Sequence, residues 1–330
     1  MTAHGATGTD TSAGIRDRAK AREELRSLRI PMAILIVLAL VAPFVIYPVF
    51  LMKMLCWALF ACAFNLLIGY VGLLSFGHAL FFGGAGYLAA HAAKVWGLPF
   101  ELAVLTGTAT AALLGLAVGW LAIRRQGIYF AMITLALAQM FYFFCLRAPF
   151  TGGEDGIQGV PRGKLLGLLS LENDLTMYFV VLAIFLFGFF FIFRVVHSPF
   201  GQVLKAVREN EPRAVSLGYK SDQYKLIAFV LSAALAGLAG GTKSIVFHLA
   251  SLTDVHWGTS GEVILMVLLG GLGTVFGPIV GAVVIVCVES YLAQLGGWVT
   301  VVQGALFVVC VLAFRRGIIG ELSRVLHRPL

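Results

Sequence analysis

Ser75 and His78 stand three residues apart in a run without charge. At that spacing a hydroxyl and an imidazole share one helix face, and the imidazole can serve as base to a nucleophile. Serine hydrolysis inside a membrane, however, uses a Gly-x-Ser-Gly arrangement with its histidine on a distant helix, whereas Ser75 is followed by Phe76 and the histidine is local. The better reading has Ser75 and His78 satisfying backbone groups freed by a helix break. Gly240-Gly241-Thr242-Lys243-Ser244 approaches a phosphate-binding loop, but that loop needs glycine directly before lysine and Thr242 intervenes. The chain is therefore not expected to bind ATP by that route.

Metal and redox chemistry are no better supplied. His4, His78, His91, His197, His248, His256 and His327 are scattered without ligand spacing. Cys56, Cys62, Cys145, Cys287 and Cys310 are odd in number, lie in or beside apolar runs and form no Cys-x-x-Cys, so they read as packing residues. No catalytic residue, metal or bound cofactor is expected. The remaining polar groups within apolar runs are Asn65, Thr134, Gln139, Glu289 and Gln303. A charge in a bilayer is costly, so Glu289 should face protein or a water-filled cavity, be protonated, or lie near an interface.

The elements that must position these residues follow from composition. Of 330 residues, 60% are hydrophobic and 12% charged, and mean hydropathy is +0.94. Soluble domains carry about 25% charged residues. With Lys+Arg 24 and Asp+Glu 16 the chain cannot clothe a water-facing surface, which excludes a soluble enzyme, and 26 Phe with so little charge excludes disorder. The net charge of +8 does not point to nucleic acid, because the basic residues flank apolar segments, as the positive-inside pattern of a protein surrounded by membrane lipids requires. The expected fold is an all-α polytopic integral membrane protein.

Residues 1–29 form a basic tail, too long and too charged for a secretory signal and expected in the cytoplasm. Residues 30–318 form the transmembrane domain, and residues 319–330 a second cytoplasmic tail. The first span is expected from Ile30 to Met52, about 23 residues. Between Lys53 and Lys94 lie roughly 40 uncharged residues, about 60 Å of helix, which needs two spans broken within Gly69–His78. Further spans are expected near 98–123, 129–146, 175–192, 226–247, 263–291 and 298–314. The run 263–291 contains Gly270-Gly271-Leu272-Gly273-Thr274-Val275-Phe276-Gly277-Pro278 and is either two short crossings or a broken helix. Counted twice it gives ten spans and both termini inside; about eight to ten is the range.

Gly69-x-x-Gly72 with Phe76-Gly77 is echoed by Gly270-x-x-Gly273 with Phe276-Gly277. Transporters built from repeats place discontinuous helices at matching positions of each half; glycine also simply permits close packing. Gly107, Ala111, Gly115 and Gly119 recur at four-residue intervals, as do Ala233, Gly237 and Gly241, and read as flat helix-packing stripes. The longest polar stretch, 195–225, begins a helix at Ser198-Pro199, caps a second short helix with Asn210 and Pro212, and can end it in a left-handed turn at Gly218.

Taken together, the block from Asn65 to His78, Thr151-Gly152-Gly153 with Gly156-Ile157, the insert Ser198–Gly218, residues 225–240 and Gly261-Glu262-Val263 through Gly281 resemble the branched-chain amino acid permease family of ABC importers, LivM type. The resemblance covers about residues 54–318. It implies a pore-forming subunit in a bacterial inner membrane, amino end in the cytoplasm, without an ATPase site of its own. Its partners would be a related second permease (LivH-like), two cytoplasmic ATP-binding subunits that use the ATP, and a periplasmic substrate-binding protein.

The insert would be the coupling element, with Arg208, Glu209, Asn210, Glu211, Ala214, Leu217 and Gly218 as its candidate contacts; charge reversal at Arg208 or Glu211 is expected to cost ATPase binding. Asn65, Gly72, Ser75, His78, Gly271, Gly273 and Glu289 would line the substrate path, where broken helices offer backbone groups to a zwitterion. Leucine, isoleucine and valine are the substrates implied, with urea, amides or aromatic acids the alternatives within the family. A proton-coupled secondary transporter using Glu289 or His78 is the rival.

Overall fold

The computed structural model describes residues 29–165, 167, 169–296, 298–313 and 317–326; the amino-terminal tail up to residue 28 lies outside the described residues. The helices are α1 (Arg29–Val41), α2 (Pro48–Tyr70), α3 (His78–Lys94), α4 (Phe100–Ala122), α5 (Ile128–Arg147), α6 (Asp174–Val196), α7 (Pro199–Glu209), α8 (Glu211–Ser216), α9 (Ser221–Val246), α10 (Trp257–Gly270), α11 (Gly277–Tyr291), α12 (Trp298–Ala313) and α13 (Gly317–Leu326). Among the described residues five of them, α2, α4, α5, α6 and α9, are long and apolar enough to cross a membrane alone. The chain is an all-α polytopic membrane protein.

Burial orders the bundle. The apolar window of α2 is 83% buried and that of α5 only 28%, so α2 is the central post and α5 lies at the periphery of the bundle. Lipid gives no hydrophobic reward for helix association, so close backbone approach must supply the contact. The two small-residue stripes do this against each other: a Cβ added at Gly115 would lie 2.5 Å from the Ala233 Cβ, and one at Gly237 would lie 2.2 Å from the Ala111 Cβ. Gly115→Leu is therefore expected to force α4 from α9 and cost about 1–3 kcal/mol, the usual penalty of overpacking. A fall in the thermal unfolding midpoint in detergent checks it; an unchanged midpoint would show that the stripe carries no packing.

The first span departs from expectation. A 3-10 turn at Ala42–Phe44 and a break at 45–47 end it, and residues 48–52 already belong to α2. Pro43 in that turn and Pro48 in the first turn of α2 explain the boundary, because proline starts helices and interrupts those already running. Hydropathy alone runs straight through it.

The segment 257–291 is a helical hairpin. A Cβ at Gly281 would meet the Met266 carbonyl and one at Gly270 the Gly277 carbonyl, so α10 and α11 run antiparallel in close contact. At 14 and 15 residues they are about 21 and 22 Å long, shorter than the hydrocarbon thickness of about 30 Å. This is the doubled alternative, two short helices where a single long span would have run. Strands play little part: β1 (Ile157–Gln158) pairs antiparallel with β4 (Leu249–Ala250), and β2 (Lys164–Leu165) with β3 (Leu169–Ser170).

Candidate functional site: two helix breaks and a polar insert

Both glycine-rich segments are breaks in space as well as in sequence. The first stops α2 at Tyr70 and restarts as α3 after Phe76-Gly77; the second stops α10 at Gly270 and restarts as α11 after Phe276. The echo in sequence is thus one local design used twice. Gly72, Gly271 and Gly273 adopt φ of +83°, +125° and +73°, which a side chain would strain.

The breaks meet. Asn65, buried in α2, donates from Nδ2 to the Thr274 carbonyl at 2.9 Å and accepts at Oδ1 from the Gly273 N–H at 3.0 Å. Thr274 Oγ1 donates to the Gly271 carbonyl and accepts from the Gly277 N–H. In the first break Ser75 Oγ accepts from the Gly77 N–H at 3.2 Å, Thr134 Oγ1 from Phe76 N–H, and Ser260 Oγ from Ala79 N–H. Ser75 and Thr134 therefore satisfy freed backbone, and these backbone groups already have partners inside the chain.

His78 does something different from the expected backbone repair. Its Nε2 lies 2.9 Å from Ser232 Oγ, and Ser232 Oγ donates to the Ala63 carbonyl at 2.5 Å. That donation leaves Ser232 as the acceptor, so Nε2 carries the proton and Nδ1 is a buried, unpartnered lone pair. The ring stands edge-on to Phe64 at 4.9 Å and to Phe229 at 5.8 Å. His78 pins α3 to α9 and is not hydrogen-bonded to Ser75.

The insert folds as its caps dictate. Ser198 Oγ accepts from the Gly201 N–H, Asn210 Oδ1 from the Arg213 N–H, and Gly218 closes α8 at φ +91°. Arg208 reaches from α7 to the meeting point of the breaks, donating from Nη1 to the Gly69 carbonyl, with its stem against Gly72 and its guanidinium beside Gly273. Lys205 Nζ sits 5.7 Å from the centre of the Tyr70 ring. Glu211 accepts from Lys225 Nζ at 2.5 Å and from Gln126 Nε2 at 2.7 Å, tying α8 to α9 and to the α4–α5 turn. Ala214 is buried, whereas Glu209, Val215, Leu217 and Tyr219 are exposed. Arg208 and Glu211 thus hold the insert on the bundle, and charge reversal at either acts first on that seat. Lys225, Gln126 and the exposed Val215 escaped the sequence reading of contacts; the Gln126–Glu211 bond spans 85 residues and has no local signature.

Glu289 belongs to the opposite end. It pairs with Lys53 at 3.0 Å and lines a cavity of about 560 Å³, as its cost in a bilayer requires. At the same end the loops after α5 and α9 are joined through β1–β4, by His248 Nδ1 at 2.7 Å from the Val160 carbonyl, and by Arg162 Nη2 donating to the Val246 carbonyl at 3.0 Å.

Discontinuous helices closed by a polar insert on one end and laced by charged loops on the other define a multi-pass membrane protein of the permease class. The family described as branched-chain amino acid transport system, permease component, matches residues 47–311, and the chain belongs to that family. Its relatives include the high-affinity branched-chain amino acid transport system permease protein LivM of Escherichia coli K12 and that of Salmonella typhimurium. Each is 27% identical over 278 residues, which cover 77% of this chain and 65% of the relative. The autoinducer 2 import system permease protein LsrC of Yersinia pseudotuberculosis is 29% identical over 210 residues, 58% of this chain and 54% of that protein. The chain thus spans 65% of the length of the LivM relatives. No solved structure matches.

Proposed function

We propose that the chain is the membrane-spanning permease subunit of an ABC importer for branched-chain amino acids in a bacterial inner membrane. It forms half of the pore beside a related second permease, with its amino end and insert in the cytoplasm. Two ATP-binding subunits supply the ATP chemistry, and a periplasmic binding protein delivers solute to the β1–β4 end. The observation that carries this reading is the insert itself. One side of it is bolted by Arg208 to the junction of two broken helices, while Val215, Leu217 and Tyr219 on α8 and the turn after it are bare.

A part built this way transmits motion. A nucleotide cycle in a seated partner shifts the balance between two arrangements of the bundle only if the partner contacts the insert differently in its two states. The bare apolar residues are where such contact forms, and Arg208 carries displacement to the breaks. Asn65, Gly72, Gly271 and Gly273 then act as the hinge of the path, and Glu289 stands at its outer part.

Reconstitution of the chain with its ATP-binding and binding-protein partners in lipid vesicles tests the reading: leucine uptake should follow ATP and ignore a proton gradient. Uptake driven by a proton gradient in the absence of the ATPase subunits would overturn it. Val215→Asp with Leu217→Asp places charge in the docking surface and should weaken retention of the ATPase subunits about tenfold, as loss of an interface anchor does. Unchanged co-purification would move the docking surface elsewhere.

A further inference from the structure

The cavity at the end away from the insert is lined by Lys53 of α2, Glu262 of α10, Glu289 and Ser290 of α11, and Gln303 of α12. Lys53 lies 16 residues before Gly69, so the cavity is about 24 Å along α2 from the Arg208 contact. Its volume of about 560 Å³ suits a small solute.

Three features of its wall are unfinished. Lys53 Nζ has three donors, and one is directed to Glu289. Among the described residues no ion pair includes Glu262. Gln303 is only 8% exposed, and its Nε2 has no hydrogen-bond partner of normal geometry although it lies beside Glu262. A buried donor left open costs about 1–3 kcal/mol, so the arrangement makes sense as one that a ligand completes.

The chemistry of the gaps selects the ligand. Water would satisfy Gln303 but leave the Glu262 charge uncompensated. A bare cation would compensate Glu262 but leave the remaining Lys53 donors and the Gln303 N–H without an acceptor. A neutral amide would bond to Gln303 and ignore both charges. A molecule carrying an ammonium and a carboxylate on the same carbon answers all three, with Ala293 and Val299 offering an apolar wall to its side chain.

We infer that this cavity is a binding site for an α-amino acid zwitterion, taking the ammonium on Glu262 and the carboxylate on Lys53 and Gln303. The inference rests on the importer reading and narrows its substrate class, setting zwitterions apart from urea and amides.

The test is a labelling assay on the full chain in lipid vesicles, without ATP. Ser290→Cys, measured over the parent chain's background, reacts with a charged thiol reagent. Leucine should slow labelling about tenfold, whereas 4-methylpentanoate, 3-methylbutylamine and urea, each lacking one or both charges, should not. Glu262→Gln should abolish the protection. Absence of protection by leucine, or equal protection by the amine alone, overturns the site. Ala293→Cys serves as a second reporter if Ser290→Cys fails to fold. Because the assay uses neither ATP nor partners, its failure is distinct from a failure of ATP-driven uptake in the reconstituted complex.

Discussion

Arg208→Ala is expected to give a complex that assembles and hydrolyses ATP yet moves solute ten to a hundred times more slowly for each ATP spent. The side chain is a charge-assisted donor to the Gly69 carbonyl, at the point where both breaks converge. Hydrogen bonds to charged groups contribute about 1.5–3 kcal/mol, which corresponds to a factor of roughly 10–100 in the balance between two states. Without it the insert keeps its Glu211–Lys225 tie at 2.5 Å and stays on the bundle, but displacement no longer reaches the hinge. Arg208→Lys should recover part of the coupling, since its ammonium keeps the charge but not the guanidinium geometry that places Nη1 on the Gly69 carbonyl beside Gly273. Parallel measurement of uptake and phosphate release decides it: an unchanged ratio of solute to ATP in Arg208→Ala removes Arg208 from the coupling route.

The second large effect belongs to Asn65. Asn65→Leu is close in volume but deletes both bonds between α2 and the second break, leaving the Gly273 N–H and the Thr274 carbonyl unpaired. At about 1–3 kcal/mol for each stranded group the expected loss is roughly 2–6 kcal/mol, a large share of a folded domain's margin. Asn65→Asp keeps an acceptor for Gly273 but turns a carboxylate oxygen toward a carbonyl, so it should fall between wild type and leucine. Thermal unfolding in detergent ranks the three; a midpoint for Asn65→Leu within about one degree of wild type would mean that the breaks are held by other means.

What could be read before the structure was local chemistry. Glycine density located both breaks, and Ser198, Asn210, Pro212 and Gly218 located the insert's two helices, because caps and turns depend on neighbours a few residues away. The two small-residue stripes were legible for the same reason, though not that they face one another. Asn65 and Thr274 are separated by 209 residues, and Lys53 and Glu289 by 236. Nothing in a side chain's type names a partner at that range.

The substrate path shows the limit most sharply. Breaks in a bilayer free backbone groups, and free groups suit a zwitterion, but here Asn65, Ser75, Thr134 and Thr274 occupy several of them. The unfinished polar wall lies instead around Lys53, Glu262 and Gln303, whose shared cavity requires four helices to converge. The end of the first span escaped because hydropathy continues unbroken through Pro43 and Pro48.

The two-residue ladder between β1 and β4 has a mechanical meaning. Ile157 faces Ala250 and Gln158 faces Leu249, so the loop between α5 and α6 and the loop between α9 and α10 form a single plate. Lys94 clamps the end of α3 to the same plate through the Gln158 carbonyl at 2.7 Å. A load applied anywhere on that plate is shared by five helices at once, so a light touch becomes a concerted tilt instead of a ripple in one loop.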